Sequence, residues 1–185
     1  MTDPRDRIEL PGGPHYATEP TAPHDRAVAR YLRGEYLALR HFAPAEFGED
    51  WPRLSIELLR RLDRFRDLLG APVIISPAPG ALGRRLGASD ASQHNLDHWG
   101  EVRAADVMLP TVDLRDRATG EAVVQIARGL FGGVGLYLDW QPHAGLHLDV
   151  RGWRFGDVRY PREVATWSRV GGQYVALERA WEAAA

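Results

Sequence analysis

Three side chains in this sequence have the chemistry of a metal site. Asp106 lies in the largely apolar run Val102-Arg103-Ala104-Ala105-Asp106-Val107-Met108, and the segments Ser92-Gln93-His94 and Leu146-His147-Leu148-Asp149 flank it along the chain. A carboxylate buried in such a run needs a hydrogen-bonded cation or a metal to stay ionised. His94, Asp106 and His147 together make a His-Asp-His donor set for a divalent ion. Zinc fits best, at one ion per chain, because catalytic zinc takes three protein ligands from His, Asp, Glu and Cys and leaves a fourth position to water. Taken singly, each segment has a plainer explanation: Asp106 paired with Arg103 or another arginine, and the polar face of Leu146 to Arg151 as a solvent-facing strand edge with an Asp-Arg pair. The three segments together outweigh these.

Composition narrows the chemistry further. The chain has no cysteine, which excludes disulfides, thiolate catalysis and Cys-rich structural zinc sites. It also has no lysine, so all 23 basic side chains are arginine, and Schiff-base chemistry and a P-loop lysine are excluded. With 185 residues, 44% hydrophobic and 26% charged, it has the make-up of one globular domain with a substantial core. A net charge of -2 gives no attraction for nucleic acid or membrane. The polar start (Asp3, Arg5, Asp6, Arg7, Glu9) lacks an apolar leader core and no later stretch is long enough to span a bilayer, so a soluble product made in the cytoplasm is expected. Oligomeric state is not encoded in any recognisable pattern.

The elements that must position the triad can be read from periodicity. Residues 1–25 hold five of the thirteen prolines and predict an extended arm, with a single domain over 26–185. Asp50 as cap, Pro52 at an early position and Leu54, Leu58, Leu62, Phe65 and Leu69 at helical spacing before Gly70 predict a helix. Pro72 to Ser76 reads as a short buried strand, followed by a Gly/Pro/Ser/Ala-rich loop to about residue 91. Val102 to Met108 predicts a second strand, and Gly120 to Phe131 a helix that Gly132-Gly133 would end. Val134 to Leu138 and Leu146 to Arg151 predict neighbouring strands, and Tyr174 to Ala185 a terminal helix. Helices and strands do not alternate regularly, so the expected class is α+β: a small, mostly antiparallel sheet with helices packed on it. In the last predicted strand Leu146, Leu148 and Val150 face one way while His147, Asp149 and Arg151 face the other, as the floor of a site would.

The order of these segments resembles a known family. His41-Phe42-x-x-x-Glu46-Phe47, a leucine-rich helix, Pro72-Val73-Ile74-Ile75-Ser76, Ser92-Gln93-His94, Arg103-Ala104-Ala105-Asp106-Val107, Gly132-Gly133-Val134-Gly135-x-Tyr137 and His147-x-Asp149-Val150-Arg151 look like the zinc D-alanyl-D-alanine carboxypeptidases and murein endopeptidases, which share their fold with the hedgehog signalling domain. The likeness covers roughly residues 40–155. It implies that His94, Asp106 and His147 bind zinc.

Three departures from the family pattern accompany it. His94 and Asp106 are twelve positions apart, with Val102 where the family has glycine; an insertion around Asn95 to Gly100 explains this and brings His98 forward as an alternative first ligand. Proline stands in Ser76-Pro77-Ala78-Pro79-Gly80 where many members have a carboxylate-binding arginine, leaving Arg84 or Arg85 as substitutes or as solvated loop residues. Ala144 and Gly145 occupy the acid/base places, so His143 is the nearest substitute and Asp139 the next.

The resemblance implies a peptidase acting on a bacterial cell-wall peptide through a metal-activated water. Asp149 and Ser92 would support the ligands, and Tyr137, Trp99 and Trp140 would line the groove. A phage enzyme released to the wall fits these features. The competing expectation is a fold that has lost hydrolysis and serves as a binding or virion-assembly module.

Overall fold

A computed structural model of the chain describes residues 39–85, 89, 91–152 and 164–183. The arm predicted over 1–25 lies outside the described residues. At the centre is a six-stranded sheet formed by β1 (Ile74–Ile75), β2 (Ala104–Met108), β3 (Gly133–Tyr137), β4 (Gly145–Asp149), β5 (Ala165–Val170) and β6 (Gln173–Val175). Their order across the sheet is β1-β2-β4-β3-β5-β6. All neighbours are antiparallel except β3 and β5, which run parallel. The fold is therefore α+β with a mostly antiparallel open sheet. Among the described residues no helix is long and apolar enough to cross a membrane.

Helix α1 (Ile56–Leu69) ends as its sequence predicts, with Gly70 in the left-handed conformation at φ 64°. Its start is a correction to the sequence expectation. Residues Pro44–Arg53 form a separate 3-10 segment, and α1 begins at Ile56 with Ser55 in the cap position. Tertiary pairing is the reason: Val102 N–H donates to the Arg53 carbonyl and Ser55 N–H to the Val102 carbonyl, which holds Leu54 extended between two helical turns. Asp50, predicted as the cap, accepts instead from Gly83 N–H. Helix α2 (Leu96–Trp99) is a single turn after the long loop, capped by the Asn95 side chain accepting from His98 N–H.

Helix α3 (Arg117–Arg128) starts at Asp116, whose carboxylate accepts from Thr119 N–H at 2.8 Å. Gly120 thus sits inside the helix, and the reason is packing: a methyl there would overlap the Trp181 indole. Gly132-Gly133, predicted to terminate this helix, belongs to the entry of β3, where added side chains would collide with Arg151 and Asp149. The C-terminal region also differs from expectation. Instead of one helix from Tyr174, residues Ala165–Val170 and Gln173–Val175 form a hairpin, and only Arg179–Glu182 is helical (α4). Gly171 and Gly172, both at positive φ (57° and 83°), make the two-residue turn that glycine pairs favour in hairpins.

Strand alternation divides the sheet into two unlike faces. Ala105, Val107, Leu146, Leu148, Val134 and Leu136 point to the side covered by Leu58, Leu59, Leu62 and Phe65 of α1 and Val123, Val124 and Ala127 of α3, and together they form the core. Phe65 meets Phe131 edge to face at 6.0 Å. The opposite face carries Asp106, His147, Asp149, Gly133, Gly135, Tyr137 and Trp167. Phe65 is fully buried, so Phe65→Ala should lower stability by about 3–5 kcal/mol. Equilibrium denaturant unfolding measures this, and a loss of a few tenths would mean that α1 is not seated on the sheet.

Candidate metal centre

The register between β2 and β4 places Asp106 opposite His147. Cross-strand partners project to the same face, so the two side chains meet without any contribution from loops. His94 arrives from the turn before α2. Its backbone is tied down where Arg84 N–H donates to the His94 carbonyl at 2.7 Å and Leu96 N–H to the Arg84 carbonyl at 3.0 Å. His94 Nε2 lies 3.2 Å from Asp106 Oδ1 and 3.0 Å from His147 Nδ1, and His147 Nδ1 lies 3.0 Å from Asp106 Oδ1. Three donor atoms thus converge on one point. All three residues are buried, with relative exposures of 3% to 7%. Together they form a buried group able to hold a metal ion.

The outer atoms of both imidazoles are already committed. His94 Nδ1–H donates to the Leu82 carbonyl at 2.6 Å, and His147 Nε2–H donates to Asp149 Oδ2 at 2.9 Å. These bonds fix tautomers that aim a lone pair from each ring toward the Asp106 carboxylate. Two lone pairs and a carboxylate oxygen at hydrogen-bond distance repel unless a cation lies between them. A metal ion or a proton must therefore sit there, and the outer bonds have the form of the support that orients metal-ligating histidines.

With no ion present, the acids enforce the proton. Burial pulls the His147 imidazolium down, but hydrogen bonds and charge from Asp106 and Asp149 outweigh it and raise the pKa to about 9. Burial likewise pushes Asp106 up, yet bonds from His147 and His94 leave it well below the usual carboxylate range. Asp149 is held at about 2, its burial outweighed by His147 and Arg151. Arg151 grips Asp149 through Nε at 2.9 Å and Nη2 at 2.6 Å, so this carboxylate is a bridge between an arginine and a ligand ring.

Glycines keep the face open for these groups. Gly133 is the cross-strand partner of Asp149, and a methyl there would overlap the Asp149 carboxylate. Gly135 lies between His147 on β4 and Trp167 on β5, and a methyl would come within 2.7 Å of the indole nitrogen. Trp167 lies over that gap, its ring centroid 5.1 Å from that of His147 and tilted 49° to it, and donates Nε1–H to Tyr137 Oη at 3.0 Å. Tyr137 stacks on Trp140 at 4.3 Å and 13°. Trp140 in turn lies over Gly145. The face that bears the triad is therefore one charged cluster continued by an aromatic row.

The other residues singled out in the sequence fall into two groups. Ser92 Oγ accepts from His94 N–H at 3.3 Å, and Arg84 Nη2 lies 3.4 Å from Asp106 Oδ2 with its side chain 46% exposed, at the mouth of the cluster. Trp99 donates to the Ser92 carbonyl and stacks under Arg103. Arg103 bonds to Val150 O, and the arginine that pairs with Asp106 is Arg84, so the alternative of an arginine partner for Asp106 is met by Arg84. His98 is exposed and packs edge-on against Trp99, outside the cluster. Arg85 is exposed, with no bond to the triad. His143 is half-buried in the turn before β4, and among the described residues neither it nor Asp139 makes a hydrogen bond or ion pair with the triad. Asp139 lines a groove with Arg115, Ser168 and Ala180, away from the ligands. Trp167 escaped sequence reasoning; the alternating stretch ending in Gly171-Gly172 was its available signal.

No family model matches the chain, and no curated protein or solved structure matches it. The chemistry of the site therefore rests on its geometry.

The raised His147 value sets a pH dependence in metal-free protein. A proton held more tightly folded than unfolded stabilises fully below the ordinary 6.5 and ceases to do so as pH rises through about 9. In chelator, the melting temperature should fall between pH 7 and 9.5, and Asp149→Asn should flatten that fall. An equal fall in wild type and variant would remove the Asp149–His147 bond as its source.

Proposed function

We propose that this protein is a zinc peptidase that hydrolyses an amide bond in the stem or cross-link peptides of bacterial peptidoglycan. The observation that carries the proposal is the convergence of two imidazole lone pairs and a carboxylate on one buried point. Their separations of 3.0–3.2 Å lie close to the edge of a tetrahedron with bonds of about 2.0 Å, which is about 3.3 Å. Two nitrogens and one oxygen suit zinc better than calcium or magnesium, which prefer all-oxygen cages. The ordered motifs from His41 to Arg151 supply the substrate class.

Zinc held by His94, Asp106 and His147 would polarise the scissile carbonyl and lower the pKa of its water. The chain's own groups do the rest. Leu82 O and Asp149 hold the ligand rings in one tautomer. Arg84, half-exposed beside Asp106, presents a planar fork suited to a substrate carboxylate. The Tyr137–Trp140 stack offers an apolar wall along the same face.

A second reading is a metal-bearing binding or virion-assembly module. It is favoured by one observation: His143 and Asp139, the residues nearest in sequence to the family's acid/base, make no bond to the triad.

Elemental mass spectrometry of purified protein should find about one zinc per chain, lost in His147→Ala and Asp106→Ala. Absence of metal after zinc is supplied would overturn the peptidase. Incubation with purified peptidoglycan should release new amino or carboxyl termini, and zinc without cleavage would select the binding module. If cleavage is seen, Arg84→Ala should raise KM about tenfold with kcat little changed, the pattern of a lost ground-state contact.

A further inference from the structure

We propose that Arg84 sets how Asp106 binds the metal: its guanidinium holds the outer carboxylate oxygen, so that Asp106 offers the ion one oxygen only and the centre stays four-coordinate and selective for zinc. The inference rests on the zinc-centre reading of the triad and is independent of the substrate.

The two oxygens of Asp106 have different neighbours. Oδ1 lies 3.2 Å from His94 Nε2 and 3.0 Å from His147 Nδ1, so it is the atom that joins the two ring lone pairs. Oδ2 lies 3.4 Å from Arg84 Nη2, and among the described residues it has no other hydrogen-bond partner. A carboxylate can give a cation one oxygen or both. A guanidinium on the second oxygen favours one, because turning both toward the ion would break a charge-assisted bond.

Arg84 is held in this place by its main chain and its side chain together. Its N–H donates to the His94 carbonyl at 2.7 Å and its carbonyl accepts from Leu96 N–H at 3.0 Å, which ties it to the segment of the first ligand. Its Nε–H donates to the Gly80 carbonyl at 2.9 Å. The stem lies across Gly80, where a methyl group would come within 2.8 Å of Arg84 Cγ. The same short segment holds the Asp106 main chain, whose N–H donates to the Ala81 carbonyl at 2.8 Å. One residue thus fixes the backbone of one ligand and the outer oxygen of another. Its Nη1 makes no bond among the described residues, which leaves that nitrogen for the substrate contact.

Coordination number is what separates zinc from its competitors at such a site. Zinc takes a tetrahedral set of four, whereas manganese(II) prefers an octahedral set rich in oxygen. Three protein donors and a water match zinc, and a further carboxylate oxygen would favour the larger set. Withholding that oxygen discriminates by geometry. The positive charge of Arg84 weakens the binding of every divalent ion alike, so charge by itself leaves the preference unchanged.

Arg84→Met keeps a stem over Gly80 and removes the guanidinium. Cobalt(II) serves as a visible probe, because four-coordinate cobalt absorbs more strongly than cobalt of higher coordination number. Wild type should bind cobalt with the intense four-coordinate spectrum, and Arg84→Met should lose intensity while still binding the ion. In competition for the site, the preference for zinc over manganese(II) should narrow about tenfold in the variant, as expected for one hydrogen bond to a charged group. Gly80→Ala, which keeps the guanidinium but pushes its stem aside, should move both readouts in the same direction. Turnover with zinc is not the readout, since the water position is kept in both proteins. An unchanged spectrum and an unchanged zinc-to-manganese ratio in Arg84→Met would overturn the role of Arg84 and leave the zinc centre and the peptidase standing. Altered affinity for both ions at a constant ratio would assign Arg84 to charge alone and also overturn it. Failure of wild type to bind zinc or cobalt would remove the centre itself, and both readings with it.

Discussion

Charge compensation around Asp106 is the constraint on which the rest of the site depends. A carboxylate at 7% exposure in the middle of a sheet costs several kcal/mol if left alone. Here it is met by two imidazoles, and one of those is met by a further buried carboxylate, Asp149, which Arg151 then neutralises. The chain Asp106, His147, Asp149, Arg151 alternates in sign from the cluster outward to a partly exposed guanidinium. Removing any member strands a buried charge, so the four behave as one unit. The alternation also explains why the two ring nitrogens facing Asp106 are left without other partners: every outer valence is already used.

The sheet makes this arrangement rigid. Asp106 and His147 belong to adjacent central strands with neighbours on both sides, so their separation is set by the ladder spacing. His94 comes from a loop, but Arg84 and Leu96 pair that loop on either side of it, and the Leu82 carbonyl fixes its ring. The second face of the sheet is filled by α1 and α3, which gives the ligand-bearing strands a packed backing. Functional side chains on strands supported in this way hold their geometry better than side chains on free loops.

Beyond the ligands, glycine and aromatic residues divide the surface between them. Gly133, Gly135 and Gly145 sit on the triad-bearing face of β3 and β4, where a methyl would meet Asp149, Trp167 with Tyr137, and the Val107 carbonyl with Trp140 respectively. Large flat groups can lie on the sheet only where the strand beneath has no side chain. Gly145 lies beneath Trp140, so this end of the face is an apolar wall. Tyr137 adds a hydroxyl to that wall, and it accepts from its indole neighbour, Trp167.

Much of this was legible in the sequence because it depends on short-range periodicity. Alternation in Leu146 to Arg151 separates the apolar from the polar face, the leucine spacing before Gly70 marks α1, and Asp106 in an apolar run, flanked along the chain by the segments of His94 and His147, marks the triad. The α+β class follows from the same patterns. Other features lie beyond any local pattern. The start of α1 is set by Val102, which pairs with Arg53 and Ser55 from almost fifty residues away. The choice of His94 over His98 depends on which way one helical turn faces, and the position of Trp167 depends on β5 joining β3 in parallel. The sequence alone determined which residues must be buried and which of them needed a compensating charge, because burial cost is a property of each side chain and its neighbours in the strand. Only the tertiary structure decided which partners meet, because the contacts that satisfy those charges are made across strands and loops whose register no local preference specifies.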